Sequence, residues 1–141
     1  MPGKHSREKG KRGEREAAKA LTAILGVPVT RSVQYSGKGE GPSDVVGIPG
    51  LHVEVKRTER FRSRESLDQA ISDSNGEDVP IVLTRAGGED WRVFLRLKDL
   101  PRLGKIMEEL RDDQYSLDSA DGAEASDGGP PAPHGVPGAG G

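Results

Sequence analysis

The chain has 141 residues, no cysteine and nearly balanced charge, with 21 Lys or Arg against 23 Asp or Glu. That length fits one domain with tails, and the missing cysteine excludes disulfides and thiolate metal centres. No apolar run approaches the length of a membrane span or a signal-peptide core, so a soluble protein of a reducing, cytoplasmic compartment is expected.

The charge is unevenly placed. Beyond Arg111 there is no Lys or Arg, and six acids lie there; without that segment the net charge moves from −2 to +4. Residues 1–64 hold 14 bases against 7 acids. A polyanionic partner such as nucleic acid satisfies this pattern, and so does an ordinary solvated surface.

Residues 1–12 have no large apolar side chain and read as a flexible basic arm, whose Lys9, Lys11 and Arg12 can neutralise phosphates or merely aid solubility. Gly13 to Leu25 reads as a helix stopped by Gly26, with Ala17, Ala18, Leu21, Ile24 and Leu25 on one face. Glu14 shares that face and is directed at the core, whereas Glu16 points nearly the opposite way. Val27 to Tyr35 reads as a strand carrying Arg31, a phosphate clamp if the next strand pairs with it. The glycine-rich loop after it, SGKGEG, places Lys38 on a flap within reach of a DNA backbone.

The stretch Gly41 to Thr58, GPSDVVGIPGLHVEVKRT, reads as two short strands around the turn dipeptide Pro49-Gly50. Alternation sends Val53 and Val55 into a core and sets Glu54 and Lys56 side by side on the other face. Asp44 lies one strand earlier. Two carboxylates and a lysine at a sheet edge suit a hydrolase that holds a divalent cation against a phosphodiester. A regular two-residue hairpin would place Asp44 on the wrong face, so an irregularity between Val45 and Val53 is predicted.

Arg57, Arg60, Arg62 and Arg64 follow within a few residues, interleaved with Phe61, and suit a groove tracking a phosphate backbone. Ser63 is expected to cap a helix through Ser74, with Leu67, Ala70 and Ile71 inward. Val79 to Arg85 reads as a buried strand, and Trp91 to Leu97 as its hairpin partner, with Arg92, Phe94 and Arg96 facing outward. Asp99 and Pro101 open a last helix bearing Leu103, Ile106, Met107 and Leu110. Residues 112–141 form an acidic, Gly/Pro-rich tail expected to be disordered.

His5, His52 and His134 are scattered, which argues against a histidine-built zinc centre, and His52 reads as a half-exposed surface residue. The carboxylate and lysine cluster is what remains. With GERE at Gly13 to Glu16, TRS at Thr30 to Ser32, SDVVG at Ser43 to Gly47, VEVK at Val53 to Lys56 and WRVF at Trp91 to Phe94, the sequence resembles the PD-(D/E)XK nuclease superfamily. Within it, residues 9 to 98 are most similar to archaeal-type Holliday junction resolvases and their phage relatives.

The resemblance implies an α/β, restriction-endonuclease-like core over residues 13–111, a central mixed five-stranded sheet in the order α-β-β-β-α-β-β, with a C-terminal helix. It implies Glu14, Asp44, Glu54 and Lys56 as catalytic residues. It also implies one or two Mg²⁺, for which Mn²⁺ can substitute, held by Asp44, Glu54 and the Val55 carbonyl, with Glu14 acting through water. Arg31 and Ser32 match the pair preceding the site and, with Lys38 and the arginines after the second strand, would contact DNA. Branched DNA as partner, a homodimer, and a bacterial, archaeal or phage-infected cell as setting follow from the resemblance alone; no small-molecule cofactor is implied. Pro42-Ser43-Asp44 departs from the family's adjacent Pro-Asp. A nicking or restriction-type nuclease and a non-catalytic DNA-binding protein of this fold remain alternatives.

Overall fold

The computed structural model describes residues 4–33 and 43–125. The expected flap with Lys38, and the end of the expected tail from residue 126, lie outside the described residues. Residues to Leu110 form one compact unit and those from Arg111 a second.

Helix α1 spans Lys4–Leu25, followed by strands β1 (Thr30–Arg31), β2 (Val45–Val46) and β3 (Leu51–Lys56). Helix α2 (Ser63–Asp73) leads to β4 (Val79–Thr84) and β5 (Arg92–Phe94), and a 3-10 turn at Leu97–Asp99 opens α3 (Leu100–Ala125). The order of elements is the predicted one. Their pairing is not: β1 and β2 form an antiparallel two-stranded sheet, while β3, β4 and β5 form a separate mixed sheet, parallel between β3 and β4 and antiparallel between β4 and β5.

The single five-stranded sheet fails to close for a local reason. Where β2 would ladder onto β3, side chains take the backbone donors: Val53 N–H bonds Ser43 Oγ at 2.8 Å and Val55 N–H bonds Asp44 Oδ2 at 2.8 Å. The backbone link there is Asp44 N–H to the Val53 carbonyl at 2.7 Å. This is the irregularity that the sequence demanded. Gly47 completes it with φ of 128°, and a Cβ there would collide with the Pro28 carbonyl.

The core lies between α1 and one face of the three-stranded sheet. Ala17 and Ala18 pack with Leu51, Val53, Val79, Ile81 and Leu83, joined at the edges by Leu21, Trp91, Leu103 and Ile106. The opposite face of β4 meets α2, where Ala70 is fully buried. Pro80 sits inside β4 without harm. Val79 N–H is given to Gly50 O, so position 80 would aim its own N–H at the β5 edge, and β5 pairs only from Val82 onward.

The chain is helical at both ends of the core where the sequence reading is not. Helix α1 begins at Lys4 rather than Gly13, so the expected flexible arm is helical from that residue. Helix α3 continues to Ala125, into the segment expected to be disordered. Extending a nucleated helix adds one hydrogen bond per residue fixed, so polar residues without a core partner can follow a packed turn. Ser63 is the first residue of α2 rather than its cap; Arg62 holds the cap position without a side-chain bond. Strand β5 is three residues long, and beyond it Leu97 is exposed.

Gly13 shows how closely α1 approaches the sheet. A Cβ built there stands 2.8 Å from Arg57 Cβ, the root of that side chain rather than its flexible end. Gly13→Ala should therefore lose about 1–2 kcal/mol, the strain of overpacking exceeding the gain of about 1 kcal/mol in helix propensity. Gly10→Ala, with nothing within 4 Å, should gain stability. Urea melts of the two variants read this contrast directly.

Candidate active site

The C-terminal half of β3 carries two of the candidate site residues. Glu54 and Lys56 occupy one face two residues apart, with Lys56 Nζ 3.4 Å from Glu54 Oε1. Glu54 is buried, at 8% exposure, although it is charged and lies beside other acids. Asp44 reaches the same stretch from the segment before β2 through its bond to Val55 N–H. A strand residue directs its N–H and C=O to the same edge, so the Val55 carbonyl points toward the Asp44 side.

Burial, more than mutual repulsion, sets the electrostatics of these two carboxyls. Burial pushes the Asp44 carboxyl from 3.8 up to about 7; the charge of Glu54, and to a lesser degree that of Glu14, adds to the rise, opposed by the Val55 N–H bond and by Lys56. Glu54 is also raised, by burial first and Asp73 second, with Lys56 and His52 pulling the other way. An oxygen-only donor set of two carboxylates and a carbonyl, carrying repulsion that a cation would relieve, fits a hard divalent ion.

Helix α1 contributes from its third and fourth turns. Glu14 is near enough to act on Asp44, but its Oε2 is held by Arg31 Nε at 2.7 Å. Arg31, expected as a phosphate clamp, is thus engaged with an acid. Glu16, read as pointing away from the sheet, accepts from Arg57 Nε at 3.0 Å and lies 4.0 Å from Arg85. The helix lies across the sheet so closely that residues on both sides of Ala17 reach sheet arginines. Among the described residues, Glu14, Asp44 and Glu54 do not gather their ligand atoms within 4.8 Å of one another; the group that does is His52, Glu54 and Asp73.

The remaining expected DNA contacts divide by exposure. Arg60 and Arg62 are exposed on the approach to α2 and Arg64 in its first turn, and Lys9 and Arg12 are exposed on α1; Lys11 is partly exposed, 3.9 Å from Glu8. Ser32 is buried at 8%, its N–H bonded to the Asp44 carbonyl, so its side chain is not on the surface. Phe61 packs on Phe94 with ring centroids 4.8 Å apart, which accounts for that aromatic within the protein. His52, read as a surface residue, is 4% exposed. Sequence reading did not identify Ser43, Asp73 or the His52 environment. For Ser43 there was a signal, a hydroxyl directly before the site aspartate.

A sequence profile of the phage PDDEXK endonuclease family matches residues 5–122. The structure is similar, at a TM-score of 0.47 and 22% identity, to that of Archaeoglobus fulgidus Hjc, a Holliday junction resolvase from an archaeal hyperthermophile, covering 60% of this chain and 74% of that one. No curated protein matches the sequence. No helix among the described residues is long and apolar enough to cross a membrane.

Proposed function

The chain belongs to the phage PD-(D/E)XK endonuclease family, and from that premise we propose that it is a Mg²⁺-dependent DNA endonuclease acting on branched DNA, with four-way junctions as its substrate. The observation that carries the reading is the buried Glu54 and the half-buried Asp44 beside Lys56 at the end of β3. A protein that only bound DNA would gain nothing from two carboxylates facing a polyanion.

Asp44, Glu54 and the Val55 carbonyl would hold the cation, which supplies Lewis-acid activation of water and neutralises charge on the phosphate. Lys56, anchored by Glu54, is placed to orient the attacking water and to stabilise charge developing on the phosphoryl oxygens. Glu14 holds the Arg31 guanidinium. Arg60, Arg62, Arg64 and the basic face of α1 would follow the phosphate backbone. We assign the nuclease domain to residues 13–111. The preference for junctions, a homodimer cutting opposed strands and a cytoplasmic setting rest on the resemblance in sequence motifs.

The test is cleavage of a synthetic four-way junction and a matched linear duplex, with Mg²⁺ and with chelator. The junction should be cut in Mg²⁺ alone, and Glu54→Gln should cut at least about 10³-fold more slowly while still binding it. Cleavage that survives chelation, or a fully active Glu54→Gln, would overturn the assignment; equal cutting of linear duplex would remove the junction preference.

A further inference from the structure

A second cluster lies on the face of β3 that meets α2. His52 and Glu54 are two residues apart on that face, and Asp73 comes from the last turn of α2. One imidazole nitrogen and one oxygen from each carboxylate all lie within 4.8 Å of one another. The imidazole is 4% exposed, and its Nε2 is buried with no hydrogen-bond partner among the described residues. A buried polar atom without a partner costs about 1–3 kcal/mol, which asks for a ligand.

The donor set differs in kind from the oxygen-only set around Asp44. Imidazole with two carboxylates suits a borderline transition ion such as Zn²⁺ over Mg²⁺, and neutral imidazole with two carboxylates balances a divalent charge. Ligand atoms around a tetrahedral ion with bonds of about 2.0–2.2 Å stand roughly 3.4 Å apart, a closure that side-chain torsions can supply. The two oxygens of the Glu54 carboxylate offer about four lone-pair sites, so the Lys56 contact at Oε1 leaves it able to take further partners.

We propose that His52, Glu54 and Asp73 form a binding site for a zinc-class divalent ion, distinct from the oxygen-only position at Asp44, with the Glu54 carboxylate shared between the two. Occupancy fixes Glu54 and ties the end of α2 to β3. The site stands on side-chain geometry and does not require the nuclease reading.

The probe is Zn²⁺, titrated calorimetrically into the full chain carrying His5→Gln and His134→Gln, so that His52 is the remaining imidazole among the three histidines. One equivalent should bind, with a zinc-edge X-ray absorption spectrum showing a single imidazole, and should raise the melting temperature. Asp44→Asn should keep that binding within a few-fold. His52→Gln and Asp73→Asn should each weaken it at least tenfold, as measured on samples with the parent's circular dichroism; if His52→Gln does not fold, Asp73→Asn decides. A spectrum without imidazole, unchanged affinity in Asp73→Asn, or loss of binding in Asp44→Asn equal to that in Asp73→Asn would overturn the site. None of these results depends on cleavage, so a protein that cuts no DNA can still bind the ion, and the reverse.

Discussion

Asp44→Asn should abolish cleavage and at the same time make the metal-free protein more stable at pH 8. The first effect follows from loss of a charged ligand, and a fall of more than about 10³-fold is expected. The second follows from the carboxyl's environment. In the folded chain its pKa is raised from 3.8 to about 7, by burial first and by Glu54 second. A raised acid keeps its proton in the native state while the unfolded chain has already released it, so stability declines as pH rises from about 4 to about 7 and then levels off. The whole decline is on the order of 4 kcal/mol, about 3 units at roughly 1.4 kcal/mol per unit. Asparagine retains an oxygen for the Val55 N–H and carries no charge, so its melting temperature should fall less over that interval, the remaining slope coming from Glu54, and stand higher than the parent's above it. Thermal melts in chelator from pH 4 to 8 measure this. A parent that gains stability over that range, or an asparagine variant that melts lower at pH 8, would show that the Asp44 carboxyl is not raised by its surroundings.

Lys56→Met should slow cleavage by about 10²–10⁴-fold while DNA affinity changes only a few-fold. The ammonium contributes one charge among many to the basic surface, but within the site it opposes the rise of both carboxyls. Without it both acids move further up, so the residual activity should shift to higher pH and require more Mg²⁺ at fixed pH. A structural role would not move the pH profile. An unchanged profile with a lower rate would assign Lys56 to the water or the transition state alone, and full activity would remove it from the site.

Much of this was legible because two-residue alternation is a rigid rule. It placed Glu54 and Lys56 together, sent Val53 to the core, and showed that Asp44 could join them only through a break in the hairpin. What alternation could not say is what covers each face. His52 sits on the same face as Glu54, yet whether that face is wet depends on where α2 packs, and Asp73 arrives there from 19 positions beyond Glu54 in the chain. Helical rotation likewise placed Glu14 and Glu16 on opposite sides of α1 but gave no measure of how near the helix lies to the sheet. Gly13 carried that information, since only a residue without Cβ permits the approach to Arg57. The division into two sheets was hidden in Ser43, whose hydroxyl occupies a donor that a neighbouring strand would otherwise have taken.

Those two short side chains have one more effect. A strand edge with free donors is a template on which foreign chains accrete. Ser43 and Asp44 take the Val53 and Val55 donors without adding a strand to the sheet, so that edge of β3 is closed to foreign pairing.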